Sequence, residues 1–582
     1  MYSDFMIAAL GRPLHPGMLY NARNDTMIPG LKLWDDADMQ KVMKVKGQQN
    51  TSFNVTASDS FSKKSKLLDV QAKLQASFLS GMISVEGSAK YLKDRTESMH
   101  QCRVTLQYKE TTVFKELMTL EMEIKHPEIF DKNEATHVVT AVLYGAEAYI
   151  VFDQMASDLQ KKQEIYGELE LSVKKIPQLE ISGKGRVVIN DNERKKVKQY
   201  KCTFHGDFKL KQNPSSYEEA AVVYKSLPTM LGQKGEAAIP LKVWLYPLKS
   251  INPKAAELVR DINATLVTAF ECIMEDLQQA KIRVLDLIKT SKVIPLAEIT
   301  GKLTAFQMKL AGYTVVLKRK VLEVLPEIRG GTVPETAFED ILHFHHHSSF
   351  TRRWMTQWLD EKETEMGIVT SYVQLMRGIP VVPPGPRLHK VLYHPRLDVV
   401  AMFSFTSLTY AEPYLANLEE CLACEDFRKM ADVKVATQKS FVRNTVPWYE
   451  HPETIPAMRA CLTHFFIVKG RCDKNSLHTA LISFVSDTAY LGSSIRVYRN
   501  GACINPHYKP PNAKSQSGRS IFDEGGPNAN RDHNPDEEDQ FRPDAVDDHH
   551  AELYLDTPNA VEEKPLNTYT TDDEDKKEFW CP

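Results

Sequence analysis

The sequence predicts a multidomain α+β protein: a sheet-rich N-terminal region, a helical middle, a small α/β unit and an acidic tail. Three observations predict this order. Apolar and polar residues alternate singly in the first 200 residues, between runs rich in β-branched residues. From about 255 to 376 the apolar period becomes three to four residues, the helical period. Beyond a proline-rich linker, short apolar runs alternate with helical ones.

The alternating stretches come first. Leu68, Val70, Ala72, Leu74, Ala76 and Phe78 are separated by Asp69, Gln71, Lys73, Gln75 and Ser77. Leu179, Ile181, Val187 and Ile189 lie in a second such run, with Leu169, Leu171 and Val173 in a shorter partner before it. A strand sends successive side chains to opposite faces, so one face of each stretch carries no charge. About 9–11 residues of such a strand cross a bilayer, with one face to lipid and one to a wet lumen. A half-buried strand or an amphipathic helix would use the same pattern. The residues of the first stretch are good helix formers, and Leu67, Val70, Leu74 and Phe78 share a helical stripe. Propensity favours helix while the binary pattern permits strand, which marks a two-state element.

Each stretch lies between predicted strands. Thr51–Thr56 and Arg103–Tyr108 flank the first; His137–Phe152 and Gln199–His205 flank the second. Gly145 interrupts the long run from His137 and predicts a bend or a close backbone approach.

Specific motifs accompany this pattern. They are Ala9-Leu10-Gly11-Arg12-Pro13, Gly17-Met18-Leu19-Tyr20, Gly87-Ser88-Ala89-Lys90-Tyr91-Leu92, Ala135-Thr136-His137-Val138-Val139-Thr140, and Phe204-His205-Gly206-Asp207-Phe208. Spread in order over about the first 250 residues, they resemble the stonefish-toxin family. The resemblance implies a MACPF/CDC-like domain, the perforin and cholesterol-dependent-cytolysin fold: a bent four-stranded antiparallel sheet with two flanking helical clusters that refold into membrane hairpins. On this chain those clusters fall at about 58–100 and 157–196. The first hairpin would turn near Ser80-Gly81 and return through Ile83, Val85, Gly87 and Ala89; the second would turn near Ile176-Pro177. The implied function is a toxin-like pore-forming protein, or cytolysin, that oligomerises on membranes. Its expected partners are a lipid membrane and either copies of itself or a related sister subunit. The alternative is a non-lytic soluble relative that serves as an interaction or scaffold protein.

The helical middle reads as Ala255–Leu287, Leu303–Val324, Glu335–Phe344 and Phe350–Met376, with Gly330-Gly331 as a break, and predicts an antiparallel bundle. After the linker at 381–386, Val399–Phe405 reads as a buried strand and Asn500-Gly501 as a hairpin turn. The resemblance places a thioredoxin-like domain there. The expected boundaries are 1–250 for the pore-forming-type domain, 251–379 for the bundle, 380–505 for the thioredoxin-like domain and 506–582 for the tail.

From 506 onward 19 acidic residues face 8 Lys and Arg, so the overall net charge of −3 hides a mildly basic remainder. Such a tail cannot bury enough apolar surface to order itself and is expected to be disordered. It shows no run of strands like the PRY/SPRY module that ends stonefish-toxin subunits. No apolar run is long enough for a membrane helix, and Met1–Leu10 does not read as a signal peptide. Nine thinly spread cysteines favour reduced thiols. The expected location is therefore cytosolic as written, with release outside the cell as the route to a target membrane.

Cys421-Leu-Ala-Cys424 has the spacing of a redox pair, but falls toward the end of its predicted helix, where no helix dipole lowers a thiol pKa. His343, His345, His346 and His347 read as solvated residues at a helix end, since a metal site needs three or four converging ligands. There is no P-loop, HExxH or GxSxG. The expectation is no enzyme, no cofactor, no metal and no nucleic acid partner.

Overall fold

A computed structural model describes residues 5–509 except 133, 159, 182–186, 233–234, 294–296, 409 and 425–445. The acidic tail from 510, the proline at 295 and the centre of the second alternating run lie outside the described residues.

The N-terminal region is built on an eight-stranded sheet. Its strands are β1 (Phe5–Ala8), β2 (Met18–Asn21), β3 (Thr26–Lys32), β4 (Met43–Thr56), β5 (Gln101–Leu117), β6 (His137–Met155), β7 (Lys201–Gly206) and β8 (Ile239–Pro247). All four predicted flanking strands are present, as parts of β4, β5, β6 and β7. The 19-residue β6 is the spine. From Ala148 to Asp153 it pairs with β7 on one side and β5 on the other. From His137 to Gly145 it pairs instead with β8. At one end the order is therefore β4-β5-β6-β7, all antiparallel.

Gly145 sits where β6 changes partner. Register shifts occur at Gly47/Asn50 in the β4–β5 ladder, at Thr111/Phe114 in β5–β6 and at Leu143/Tyr144 in β6–β8. Bulges at one level of adjacent ladders bend and twist a sheet. A side chain at 145 would place its Cβ 2.1 Å from the Glu110 carbonyl oxygen and 2.9 Å from Thr111 Cα. Backbone, not a movable side chain, fills that space, so only glycine fits.

Beyond its bulge β6 presents Tyr149 and Val151 to one core, and Ala148, Ile150 and Phe152 to another. The segment between β4 and β5 covers the first face. It holds α2 (Phe61–Leu67) and α3 (Ala72–Ser80). The segment between β6 and β7 covers the second, with α4 (Lys162–Lys175) and α5 (Asp191–Val197); α6 (Tyr217–Met230) packs beside it. A short α1 (Asp36–Val42) precedes β4.

The helical middle contains α7 (Ala264–Val293), α8 (Ala297–Gly330), α9 (Thr336–His347) and α10 (Arg352–Leu375). Its first helix starts at 264, not at the expected 255. The N–H groups of Val259 and Arg260 bond to the Arg329 carbonyl at the end of α8, at 2.9 and 3.4 Å, and the Asn263 side chain accepts from Thr265 N–H at 2.9 Å. Residues 255–263 thus cap one helix and lead into another. The reading of all four histidines as solvated needs correction at one of them. His345 is buried and bonds the Tyr313 hydroxyl at 2.9 Å, while His343, His346 and His347 are exposed. Burial, with His346 nearby, holds the His345 pKa down to about 3, so it packs as a neutral ring.

The last region has α11 (Pro386–Leu392), β9 (Val399–Phe405), α12 (Pro413–Ala423), α13 (Thr454–Cys472), β10 (His478–Phe484), β11 (Ser493–Arg499) and β12 (Ala502–Asn505). Its sheet order is β10-β9-β11-β12, with β9 and β10 parallel. Asn500 and Gly501 both have positive φ, as the tight β11–β12 turn requires. Cys421 is in the last turn of α12, Cys424 caps its end, and neither forms a disulfide.

Gly145→Ala is expected to lower stability by about 1–3 kcal/mol, the usual cost of overpacking. The midpoint of urea unfolding measures it; an unchanged midpoint would show that the backbones are not in contact there.

Candidate membrane-inserting segments

The first segment, between β4 and β5, is helical and packed. Leu68, Val70, Leu74, Ala76, Ile83, Val85 and Ala89 are buried, and Ala72 and Phe78 are half-buried. Their partners are the sheet face of Tyr149 and Val151 and the inner sides of α7 and α8. Helix propensity therefore governs here, and the period-2 pattern stays unused. Leu74 has no exposed surface.

Buried polar groups tie this segment down. At its ends stand Asp59 and Asp94. Arg103 on β5 bonds Asp94 at 2.8 Å and Asp59 at 3.3 Å through Nη1, while Nε and Nη2 grip Asp153 on β6 at 2.8 and 2.9 Å. One guanidinium thus staples both ends of the segment to the sheet. His205 on β7 joins the group through Asp94, Nε2 to Oδ2, at 2.7 Å. Burial alone would raise the Asp94 carboxyl; the His205 hydrogen bond and the charges of Arg103, His205 and Lys64 bring it down to about 2. Lys64 of α2 has no exposed surface and pairs with Asp59 at 2.6 Å. Its burial outweighs that pairing and lowers its pKa to about 8.

The middle of the segment is tied at a second node. Ser77 of α3 donates to Asp25, and Arg329, from the last turn of α8, bonds Asp25 Oδ2 at 2.9 Å and Ser77 Oγ at 3.0 Å. Arg329 Nη2 also donates to the Lys73 carbonyl at 2.8 Å. Two carboxylates of α7 hold further backbone: Glu275 accepts from Phe61 N–H and Asp286 from Met99 N–H, both at 2.6 Å.

Asp207, just after β7, is the last tie. It accepts from Ser88 N–H at 2.8 Å and from Glu147 N–H at 2.9 Å. Gly87 has φ +56°, and a Cβ there would lie 2.3 Å from Asp207 Oδ1.

The second segment, between β6 and β7, is held differently. Leu169, Val173 and Val187 are buried against β5 and β6, but Leu179, Ile181 and Ile189 are half-buried and Leu171 is 63% exposed. A cavity of about 570 Å³ lies among Leu171, Leu179, Ile189 and Val197. Its ion pairs, Lys174–Glu170, Lys175–Glu193 and Lys196–Glu168, each 2.7 Å, are at the surface. Such pairs contribute about 0–1 kcal/mol each. Ile181 and Val187 already face each other in an antiparallel bridge, and Ile176–Gln178 forms a one-turn 3₁₀ helix.

Sequence reading located both segments but missed every one of these charged ties, since their partners are distant in the chain. The one signal was the Phe204-His205-Gly206-Asp207-Phe208 motif, which supplies two of them. Among the described residues no cluster of His, Cys, Asp or Glu could hold a metal.

Burial raises the Asp207 carboxyl to about 6, against the two N–H donors that pull it down. The folded protein then keeps this proton at a pH where the unfolded chain has lost it. Stability from this group is full below about pH 4 and falls as pH rises through about 6. Asp207→Asn should flatten that part of the pH dependence, read as the difference in urea midpoint between about pH 4.5 and about pH 7. An identical difference in both proteins would assign the slope elsewhere.

Comparison with known proteins matches this architecture. Residues 5–183 match the SNTX, MACPF/CDC-like domain, residues 272–367 the stonustoxin helical domain, and residues 378–510 the thioredoxin-like SNTX domain. The chain is 32% identical to stonustoxin subunit alpha of Synanceia horrida over 515 residues, 88% of this chain and 72% of that protein. It is 34% identical to cytolytic toxin-alpha of Scorpaena plumieri, and 33% identical to neoverrucotoxin subunit beta of Synanceia verrucosa, with the same shares of each chain. The stonustoxin structure aligns with a TM-score of 0.63 at 27% identity, covering 87% of this chain and 68% of that one. With a MACPF/CDC-like sheet, a helical domain and a thioredoxin-like domain in the same order, this chain belongs to the stonustoxin family.

Proposed function

We propose that this chain is a pore-forming, cytolytic toxin subunit that oligomerises on membranes and inserts two β-hairpins. The observation that carries the reading is connectivity. The first segment joins β4 to β5 and the second joins β6 to β7, and these four strands are neighbours in the order β4-β5-β6-β7. If both segments extend, they lengthen four adjacent strands into one ribbon without any crossing connection. Leu68, Val70, Ala72, Leu74, Ala76 and Phe78 with Ile83 and Val85 supply the lipid face of one hairpin. Leu169, Leu171, Val173, Leu179, Ile181, Val187 and Ile189 supply the other.

An isolated ribbon would leave unpaired edges in lipid, so insertion needs neighbours in a closed ring. The β4 edge supports this: most of its 14 residues are exposed, and among the described residues it pairs only with β5. Relatives are named as alpha and beta subunits; a sister subunit or a second copy is therefore the proposed partner, and lipid the proposed target. On this reading residues 1–250 form the pore-forming domain, 251–379 the bundle and 380–505 a thioredoxin-like domain that serves as structure. No enzymatic role is proposed. A Cys421→Ser/Cys424→Ser variant should keep its fold and its lytic activity; insulin-disulfide reductase activity that vanishes in that variant would contradict this.

The test must use a site that is free before insertion. Leu74→Arg is unsuitable, because Leu74 is wholly buried and a charge there would unfold the soluble protein. Leu171 is exposed and lies on the proposed lipid face. Arginine at mid-bilayer costs about 2–4 kcal/mol, repeated in every subunit. Leu171→Arg should therefore abolish dye leakage from liposomes with no change in thermal unfolding. Glu180→Arg, exposed and on the lumen face, should leave leakage intact. Equal leakage from both variants would remove the second hairpin from the pore; a wild-type protein that never causes leakage would leave the scaffold reading in its place.

A further inference from the structure

The Ile181–Val187 bridge has a register, and that register cannot be the inserted one. The bridge is of the wide, non-hydrogen-bonded kind, since Val188 N–H bonds the Glu180 carbonyl at 3.0 Å. Extended outward, it pairs Leu179 with Ile189, then Pro177 with Asp191, Lys175 with Glu193 and Val173 with Lys195. The observed Lys175–Glu193 ion pair, 2.7 Å, fits this register. Four charged residues would then sit on the same face as the leucines. In a bilayer that face could not be the lipid face.

A turn over Ile176–Gln178 gives the opposite result. It pairs Val173 with Ile181 and Gly167 with Val187. One strand then presents Ile165, Gly167, Leu169, Leu171 and Val173 to lipid, with Lys175 as the single charge on that face and beside the turn, and the other presents only apolar residues and glycine from 179 to 189. The charged residues Glu168, Glu170, Lys174 and Glu180 all fall on the other face. This turn already exists: Ile176–Gln178 is a 3₁₀ turn closed by Leu179 N–H to the Ile176 carbonyl at 3.2 Å, and Leu179 is extended.

We propose that the Ile181–Val187 bridge is a clasp that must open, and that the second segment inserts by re-registering about Ile176–Gln178 rather than by lengthening the pairing that this bridge begins. This inference rests on the pore-forming reading. On insertion Ile181 and Val187 change from facing each other to lying six residues apart on one strand, about 20 Å.

A disulfide cannot span that distance, since it needs Cα atoms about 4.4–6.8 Å apart. Ile181→Cys/Val187→Cys, made in a Cys503→Ser background, is therefore the test. Liposomes of phosphatidylcholine and phosphatidylserine loaded with dye provide the readout. Oxidised protein should lose leakage, and reductant should restore the rate shown by the same variant kept reduced throughout. A second lock further out, Lys175→Cys/Glu193→Cys joined by a short bis-maleimide, should block leakage at two surface positions whose substitution leaves the core intact. Leakage by oxidised or linked protein as fast as by its open form would overturn the proposal and make the register of the present bridge the inserted one. Absence of leakage from the wild-type protein would instead overturn the pore-forming reading, and the clasp with it.

Discussion

Asp25 and Arg329 are 304 residues apart in the chain and meet inside the protein at 2.9 Å, with almost no exposed surface between them. Asp25 sits at φ +54°, in the turn between β2 and β3. Its carboxylate accepts from the Tyr20 hydroxyl at 2.8 Å as well as from Ser77 and Arg329. The N-terminal hairpin, the end of the long helix α8 and the helix α3 are therefore joined at one desolvated charge pair. Taking one partner from such a pair is severe, about 3–5 kcal/mol, because the other charge stays buried and bare. The helical domain is in this way coupled to the sheet domain, and α3 lies on the coupling.

The same arrangement recurs at Arg103. In both nodes one carboxylate belongs to the frame, joined at Arg329 by the Arg23 carbonyl at 3.1 Å, and the other polar contacts belong to the first segment. Asp153 on β6 grips Arg103 with two bonds, and Asp25 grips Arg329. Asp59, Asp94, Ser77 and the Lys73 carbonyl are the segment's share. If the segment departs as proposed, neither guanidinium is left without a counter-ion. What is lost is a set of hydrogen bonds to charged groups, about 1.5–3 kcal/mol each, not a bare buried charge. Asp207 follows the same logic, keeping Glu147 N–H when Ser88 N–H leaves. The second segment lacks such nodes among its described residues and is held by the buried Leu169, Val173 and Val187, by half-buried Leu179, Ile181 and Ile189, and by surface ion pairs. The two segments thus differ in how firmly buried polar ties restrain them, the first being the more firmly held.

Much of this was legible in local pattern. Strand β6, the helical periods, the Asn500-Gly501 turn and the glycine at 145 each follow from a few adjacent residues. Segment 68–78 carried both a helix period and a strand period, and the folded chain uses the first. What failed did so for non-local reasons. Residues 255–263 have a helical stripe, but the N–H groups of Val259 and Arg260 are claimed by α8. His345 is one of four histidines that look alike in sequence, and only tertiary packing buries it. Leu74 belongs to an alternating run that gave no hint of how deeply α7 and α8 cover it. Apart from Arg103–Asp94, nine positions apart, the contacts of Arg103 and Arg329 join residues 44 to 306 positions apart, beyond any window of local reading.

The open edge of β4 raises the remaining physical question, which is how the folded chain tolerates a 14-residue edge strand that is mostly exposed. An edge of that length is a template for pairing with any other strand. Here it is guarded by Lys44 and Lys46 and by the polar run Gln48, Gln49, Asn50, Thr51 and Ser52, and its ladder to β5 is broken at Gly47/Asn50. Charge and a bulge make casual pairing unfavourable without removing the backbone donors and acceptors. Val45 and Phe53, both more than half exposed, leave apolar contacts that only a neighbour with a matched edge can use. A partner strand that satisfies both the bulge and those two side chains gains what an arbitrary strand does not. The edge is thus selective rather than blocked, which is what a subunit needs if it must stay soluble alone and join its own kind at a membrane.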